Sequence, residues 1–485
     1  MLNLKTIAKI IGALLGLEAL LMSVCLCVSL LYQDKDIIAF IWSILITIVA
    51  GGAFRLMGRH ANNTISRRDA YFVVAVTWII FSLFGTLPFL ISGHITSFTN
   101  AFFETMSGFT TTGATIVDFP EHFPKGLLFW RSLTQWIGGL GIVFFTIAIL
   151  PSLVGGSLKV FAAEATGPIK SKLHPRLSMG AKWIWMVYFV LTAACVVSYK
   201  VCGMNWFDAF NYAMTSTATG GFSTESASIA TFHSPAEEYV CTIFCFLSGV
   251  NFTLLYTSVA GFKLKAMLKN SEFKFYAAMT AGFTLFIMLE LIFRCNYEVE
   301  HAFRSSAFQV VSFITTTGLF SDDAAKWPHV TWVVLAACMF FGGSSGSTSG
   351  GIKSIRGVML VKVIKNEFRQ ILHPNAVLPM KVDGYNVQMC KRVTLLAFIG
   401  LYLFLAVICA FTMIAAGIDS TNSMTITLSS LGNVGPTLGL EIGPTMSWNE
   451  LPDFAKWISS FLMLVGRLEL FSVLVLFTPS FWKEN

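Results

Sequence analysis

The chain has 485 residues, of which 55% are hydrophobic and only 12% are charged. A soluble domain carries about a quarter charged residues, so this composition excludes a soluble protein with a large polar surface. Apolar runs of about 20 residues, enough to cross a hydrocarbon core of ~30 Å, recur along the sequence. The net charge of +7 comes from basic residues in many short loops, which indicates membrane topology rather than nucleic-acid binding.

Ten membrane helices are predicted from the apolar runs, and the eighth of them is interrupted. They lie near residues 6–32, 37–57, 71–92, 127–151, 181–203, 238–262, 275–296, 331–365, 391–416 and 455–478. Four further apolar segments are too short to span a bilayer and are therefore interpreted as re-entrant elements. They lie near residues 97–110, 205–217, 302–315 and 421–431.

After residue 70 the order is helix, short helix, loop, helix, four times over, and such internal repetition fixes the fold. The predicted fold class is an all-α polytopic membrane protein, with two N-terminal helices plus four helix–pore loop–helix repeats around one pseudo-fourfold pore. The predicted boundaries are 1–60 for the N-terminal extension and 61–160, 161–265, 266–370 and 371–485 for the four pore repeats.

Each short segment ends at a glycine, and three of the four segments are near copies. In these three a phenylalanine precedes the glycine by ten residues: Phe103 and Gly113, Phe210 and Gly220, Phe308 and Gly318. The fourth segment departs from the threonine-rich pattern. The loop residues are Thr110, Thr111, Thr112 and Gly113; Thr217, Ala218, Thr219 and Gly220; Thr315, Thr316, Thr317 and Gly318; and Gly432, Asn433, Val434 and Gly435.

Threonine-rich loops that end in glycine are suited to an ion filter. Irregular backbone at membrane depth is tolerated only where it is buried in protein or lines water. Four extended strands around one axis can present rings of carbonyl oxygens that replace an ion's hydration shell, and the C-terminal end of each preceding helix favours a cation. Oxygen ligands without a fixed carboxylate suit a monovalent ion better than Ca²⁺ or Mg²⁺.

Lysine and arginine give the predicted orientation. Of the 33 basic residues, 24 fall in one set of loops and 8 in the opposite set, while Arg467 lies within the last apolar run. The positive-inside rule then places both termini in the cytoplasm and the four glycine loops toward the outside.

The interruption of the eighth helix spans residues 342–351, a run of glycine, serine and threonine that cannot hold a stable helix. At 1.5 Å per residue from a start near residue 331, it lies about 17 Å into the membrane, beneath the third loop. We interpret the run as a gate. The alternative interpretation is a cytoplasmic linker between two separate short helices. Arg467, costly at mid-membrane, is expected to meet loop carbonyls or Glu469. The predicted gate residues are Gly342, Gly343, Ser344, Ser345, Gly346, Gly350, Gly351 and Arg467.

Several motifs resemble the Trk/Ktr/HKT superfamily of potassium transporters. Besides the four loops, these are Arg131 to Gly141, Glu164 to Pro168, Lys172 to Arg176, and Gly466 to Glu469. The two helices before residue 60 point to the TrkH-type subgroup. The resemblance implies K⁺ as the transported ion, no cofactor bound by this chain and no enzymatic activity. It also implies a homodimer in the lipid of a bacterial inner membrane.

The same resemblance implies a cytoplasmic nucleotide-binding regulatory ring, for which the basic loops at 159–182 and 353–392 are the candidate docking surface. The latter contains Val382 to Tyr385, which predicts a hairpin turn. The alternative function is a secondary transporter that couples Na⁺ or H⁺ to an organic solute. Such transporters typically show inverted repeats and acidic residues in broken helices, whereas these repeats share one orientation.

Overall fold

The computed structural model describes residues 2–59, 61, 65–141, 177–261, 264–438 and 446–483. In this part of the chain the α-helices are α1 (Leu4–Tyr32), α2 (Ile37–Met57), α3 (Arg67–Gly85), α4 (Leu87–Ser92), α5 (Phe98–Phe109), α6 (Lys125–Leu140), α7 (Leu177–Val201), α8 (Trp206–Ala218), α9 (Pro235–Ser248), α10 (Phe252–Ala260), α11 (Leu264–Lys269), α12 (Ser271–Cys295), α13 (Val299–Ile314), α14 (His329–Phe340), α15 (Ser354–Leu372), α16 (Met389–Ala415), α17 (Ser420–Gly432), α18 (Asp453–Arg467), α19 (Phe471–Leu474) and α20 (Pro479–Trp482).

Short 3-10 turns lie at Pro120–His122, Ser228–Phe232, Ala324–Lys326 and Val475–Phe477. Two strands, β1 (Lys381–Val382) and β2 (Tyr385–Asn386), pair antiparallel, with Val382 opposite Tyr385. The predicted hairpin turn is therefore confirmed. Asp383 and Gly384 have φ of 47° and 85°, the left-handed pair that a two-residue hairpin requires.

Six helices of the described residues are long and apolar enough to cross a membrane, or up to eight if each of two bent pairs counts as one span. The six are Leu4–Tyr32, Ile37–Met57, Arg68–Ser92, Trp183–Val201, Ser271–Cys295 and Met389–Ala415. Two of the ten predicted spans are not among these eight. The span at 127–151 is described only up to residue 141, and the interrupted one divides into α14 and α15.

Two helices that were predicted to be continuous are broken. The predicted helix 238–262 consists of α9 and α10, which meet at 101°, and the predicted helix 455–478 bends by 109° after α18. The first break occurs because Asn251 starts a new helix, its side chain accepting the N–H of Leu254 at 3.1 Å. The second contains Glu469 and Leu470 at φ of 55° and 40°, which are incompatible with a right-handed helix.

The four predicted re-entrant segments form the short helices α5, α8, α13 and α17. Ser97 and Asn205 cap the first two of these, accepting the N–H of Asn100 at 3.5 Å and of Asp208 at 2.8 Å. The N-terminal ends are thus stabilised by side chains, while the C-terminal ends lead into the glycine loops.

The N-terminal extension caps a helix of the first repeat. Helix α6 begins after Pro124 without a side-chain cap of its own. Asp34 and Asp36, in the turn between α1 and α2, accept the N–H groups of Lys125 at 2.7 Å and Leu127 at 3.1 Å. These are N–H groups that a helix start leaves without intrahelical partners, so the extension fixes the start of α6.

Candidate functional site

All four short helices end in the same backbone turn. Within two residues of the end of each helix, one residue adopts a left-handed conformation. A glycine with positive φ follows two residues after it. The left-handed residues are Thr111 (53°), Thr219 (54°), Thr316 (58°) and Asn433 (55°), and the glycines are Gly113 (84°), Gly221 (83°), Gly318 (80°) and Gly435 (99°). Glycine loops 1 to 4 are accordingly residues 110–113, 218–221, 315–318 and 432–435.

This geometry corrects the predicted register of glycine loop 2 by one residue. Helix α8 runs to Ala218, so Thr217 is a helix residue, and the glycine equivalent to Gly113 is Gly221 rather than Gly220. The phenylalanine spacing was misleading, because Phe210 is 47% exposed whereas Phe103 and Phe308, at 0% and 2%, are buried. The Gly220-Gly221 pair offered two registers, and the choice of Phe210 as the landmark selected the wrong one.

The four glycines contact one another's loops in a closed cycle. At each, an added Cβ would collide with the carbonyl oxygen that precedes the glycine of the next loop. These carbonyls are Gly220 O for Gly113, Thr317 O for Gly221, Val434 O for Gly318 and Thr112 O for Gly435. Loop 1 thus meets loop 2, loop 2 meets loop 3, loop 3 meets loop 4, and loop 4 meets loop 1. The four loops therefore enclose a common centre, and glycine is the residue that permits the approach.

A cavity of about 70 Å³ adjoins this ring, and all four positive-φ glycines line it. Its other walls come from the segments that follow the loops, including Asp118, Arg131, Ser223 and Trp448. The cavity therefore lies on the side of the ring where the segments that follow the four glycines are located.

Loop 4 differs in sequence but is tied directly to loop 1. Asn433 donates from Nδ2 to Thr112 Oγ1 at 3.0 Å and to the Met463 carbonyl at 2.9 Å. Asparagine tolerates the left-handed conformation, whereas β-branched threonine is rarely found there. The three threonine loops therefore store local backbone strain, of a kind that clusters at functional sites.

A buried ion pair beside the ring was missed by sequence reasoning, which placed Arg131 only in a helix motif. Arg131 Nε contacts Glu104 Oε1 at 2.8 Å, and the two side chains are 2% and 1% exposed. Glu104 also accepts from Thr115 Oγ1 and from the Ile116 N–H, each at 2.9 Å. Arg131 donates to the Ser223 carbonyl at 3.0 Å. The pair therefore joins the segment after loop 1 to the segment after loop 2.

Gln135, a residue of α6, forms hydrogen bonds with the backbone of glycine loop 2 and of the residue that follows it. Its Nε2 donates to the Gly220 carbonyl at 2.8 Å, and its Oε1 accepts the Phe222 N–H at 3.0 Å. Both flanks of Gly221 are thus fixed by one buried amide from α6.

The predicted gate, the Gly/Ser loop of residues 342–351, lies on the other side of the ring from the cavity. Thr348 Oγ1 donates to the Thr217 carbonyl at 3.0 Å, and the Gly350 N–H donates to Thr316 Oγ1 at 2.6 Å. A Cβ at Gly350 would also collide with the Gly432 carbonyl oxygen. The loop therefore contacts the C-terminal ends of three short helices.

Arg467 contacts the Gly/Ser loop, as expected. Its Nη1 donates to the Thr348 carbonyl at 2.7 Å, and its Nη2 to the carbonyls of Gly138 and Gly139 at 2.6 and 2.5 Å. The other predicted partner, Glu469, forms an ion pair with Arg356. Arg467 thus joins the last helix, the end of α6 and the Gly/Ser loop.

Short helices that end in glycine loops lie among helices that are long and apolar enough to cross a membrane. This arrangement defines a multi-pass membrane protein. The family model described as "TrkH: Cation transport protein" matches residues 36–484. Potassium uptake proteins TrkH of Halomonas elongata and of Escherichia coli are 36% and 35% identical, each over 99% of this chain and 100% of the relative. The crystal structure of the potassium transporter TrkH from Vibrio parahaemolyticus superposes with a TM-score of 0.89, at 34% identity and 99% coverage of both chains.

The chain belongs to the TrkH family of cation transport proteins, so it is a membrane transport protein and not an enzyme. The likeness to the solved structure confirms the predicted all-α polytopic fold. The predicted motifs at 164–168 and 172–176 lie outside the described residues.

Replacing Gly221 with alanine should reduce rubidium uptake into liposomes by at least about tenfold. The added methyl group would collide with the Thr317 carbonyl oxygen. In addition, the positive φ of this position costs ~1–3 kcal/mol for residues other than glycine. Gly282→Ala, where nothing lies within 4 Å of the added Cβ, is the control and should transport normally. At Gly220 the φ is not positive, and the three atoms nearest to an added Cβ belong to the Gln135 side chain, which can shift more easily than backbone. Gly220→Ala should therefore be the milder variant, although it disturbs the Gln135 bonds to loop 2. The reverse order of severity would contradict the assignment of Gly221 as the ring glycine of loop 2.

Replacing Arg131 with glutamine should destabilise the protein by at least ~3 kcal/mol, because it leaves the Glu104 carboxylate buried without its counter-charge. The thermal unfolding midpoint of the purified protein measures this loss. The double variant Glu104→Gln, Arg131→Gln should lose less than the sum of the two single variants. Strict additivity would show that the two groups act independently.

Proposed function

We propose that this chain takes up K⁺ through a selectivity filter formed by the four glycine loops. The observation that carries the proposal is the closed cycle in which each loop's glycine adjoins the carbonyl of the next loop. The relatives that span the whole chain are named potassium uptake proteins, which supports K⁺ as the ion.

The chemistry of the ring favours a weakly hydrated monovalent cation. The carbonyls of Thr112, Gly220, Thr317 and Val434 adjoin the glycines of neighbouring loops, and such oxygens substitute for the water around an ion. The partially negative C-terminal ends of α5, α8, α13 and α17 add attraction for a cation. Residues 110–113, 218–221, 315–318 and 432–435 contain no carboxylate, unlike typical Ca²⁺ sites.

The Gly/Ser loop is the proposed gate, and Arg467 is proposed to hold it in the closed position. The loop lies directly behind the ring and contacts Thr217 and Thr316, so an ion that leaves the ring must pass it. Arg467 holds Thr348 and adds a positive charge that repels cations from the closed path.

Regulation is proposed to come from outside the chain. The relatives are named as parts of a Trk system, which implies further components. We propose that the chain forms a homodimer in a bacterial inner membrane, with both termini in the cytoplasm. A cytoplasmic nucleotide-binding ring would bind this dimer through the basic loops. Of the two docking candidates, residues 353–392 are described, whereas 159–176 lie outside the described residues.

Uptake of ⁸⁶Rb⁺ into liposomes that contain the purified chain tests the transport proposal. Unlabelled K⁺ should compete strongly and Na⁺ weakly, because the ring is proposed to favour the less hydrated ion. Liposomes without protein give the background. Absence of cation-selective uptake would reject the proposed function.

Deleting residues 344–349 should raise the rubidium flux of the isolated chain, because it removes the segment that lies behind the ring. Arg467→Ala should change the flux in the same direction by releasing Thr348. The K⁺-over-Na⁺ preference should stay as in the unmodified chain, because both changes leave every residue of the four glycine loops in place. Unchanged flux in the deletion variant would refute the gate assignment.

A further inference from the structure

The Gly/Ser loop is anchored by a buried carboxylate that the proposed function does not use. Glu272, in the first turn of α12, is 6% exposed. Its Oε1 accepts the Ser345 N–H at 2.5 Å and the Ile355 N–H at 3.2 Å, and its Oε2 accepts the Ser345 hydroxyl at 3.0 Å. One side chain therefore bonds both to the loop and to the first turn of α15 that follows it.

Glu272 supplies what the local sequence lacks. Helix α15 begins after Lys353 without a side-chain cap of its own, so the carboxylate provides one, which also suits the positive end of the helix dipole. Within the loop, five of the ten residues are glycine, which has little intrinsic preference for one conformation. The observed conformation must therefore be imposed by bonds from neighbouring elements.

Neutral bonds reach the first half of the loop from the turn between α9 and α10, where Asn251 donates to the Ser345 carbonyl and the Gly249 carbonyl accepts the Ser344 N–H. The charged groups that bond to the loop are divided along it. Cations hold its second half by the carbonyl oxygens, since Arg467 donates to Thr348 O and Lys353 donates to Ser349 O. Among the described residues, Glu272 is the carboxylate that bonds to the loop, and it holds the first half through an N–H and a hydroxyl. Charge-assisted hydrogen bonds are about twice as strong as neutral ones, so Glu272 is a principal anchor of that half.

The start of α12 is in turn held by the hairpin formed by β1 and β2, which belongs to the segment proposed to face the cytoplasm. Asp383, at the hairpin turn, accepts the Ser271 N–H at 2.9 Å and the Asn270 side-chain amide at 3.2 Å. Asn270 is the N-cap of α12, accepting the Phe273 N–H at 2.9 Å. The hairpin therefore bonds to the two residues that immediately precede Glu272.

We propose that Glu272 is the positioning residue that keeps the Gly/Ser loop in its observed conformation, and that Asp383 sets the position of Glu272. The inference rests on the proposed gate. The hairpin, the start of α12 and Glu272 then form one continuous connection. This connection runs to the Gly/Ser loop from a surface that a cytoplasmic partner could reach. Displacement of the hairpin would break the bonds of Glu272 to Ser345 and so weaken the hold on the first half of the loop.

The test measures ⁸⁶Rb⁺ flux through the purified full-length chain in liposomes without a partner. Glu272→Gln keeps the size of the side chain but replaces one acceptor oxygen with a donor, so the flux should rise about tenfold. Glu272→Asp, which keeps the charge but shortens the reach, should give an intermediate rise. Glu290→Gln is the matched control, because Glu290 lies near the other end of the same helix in a partly exposed pair with Arg294, and it should leave the flux unchanged.

Two further readouts separate positioning from a general loss of structure. The K⁺-over-Na⁺ preference should be unchanged in Glu272→Gln, since the glycine loops are intact. Ser345→Ala removes the hydroxyl that donates to Glu272 from the loop side, and it should raise the flux while the carboxylate stays in place. A fall in flux together with lost ion preference would overturn the positioning role.

Asp383→Asn tests the connection to the hairpin. Asparagine keeps the left-handed conformation of this position, but it replaces a carboxylate oxygen with a donor, so a rise of about threefold is expected. The double variant with Glu272→Gln should match Glu272→Gln alone, because Asp383 acts through Glu272. Additive effects, or no effect of Asp383→Asn, would overturn the connection.

The deletion of 344–349 distinguishes failure of the anchor from failure of the gate. If the deletion raises the flux and Glu272→Gln does not, the inference about Glu272 is wrong while the proposed gate stands. If neither variant changes the flux, the gate itself is refuted, and the inference is refuted with it.

Discussion

The structure depends on the close approach of four glycines to four carbonyl oxygens. Each contact in the cycle leaves no room for a Cβ, and each glycine has a φ that other residues rarely adopt. Because the contacts run from each loop to the next and close on the first, a change in one loop displaces its neighbour. The ring is therefore one cooperative unit, even though its four parts are far apart in the sequence.

Irregular backbone inside a membrane protein must find its hydrogen-bond partners within the protein, and buried polar side chains around the ring provide them. Gln135 bonds on both sides of Gly221, and Asn433 joins loop 4 to loop 1. The Glu104–Arg131 pair fixes the segments that follow loops 1 and 2. Behind the ring, Arg467 does the same for the Gly/Ser loop. Polar groups that would be costly in lipid are thus used to hold irregular segments.

Much of this architecture could be predicted from the sequence, because its signals are local. Short apolar runs that end in glycine predicted the four short helices, and a glycine- and serine-rich run predicted the interruption after α14. The Asp383-Gly384 pair likewise predicted the hairpin, since few residues adopt two successive left-handed conformations.

The features that sequence reasoning missed depend on contacts between distant segments. The register of loop 2 is decided by the collision of a Cβ at Gly221 with Thr317 O, and no spacing within α8 reports that contact. The breaks before Asn251 and after Arg467 were hidden in apolar runs. Their only signals were a glycine and polar residues, which are also common in packed membrane helices. The pairing of Glu104 with Arg131 joins residues on two helices, which a single sequence does not reveal.

The central claim is that the four glycine loops form a cation-binding ring. The most direct measurement is an experimental structure of the protein in rubidium or thallium salt, with anomalous scattering used to locate the ion. We expect anomalous density on the axis that the carbonyls of Thr112, Gly220, Thr317 and Val434 surround. Ordered cations bound elsewhere in the membrane region, with none on that axis, would contradict the claim.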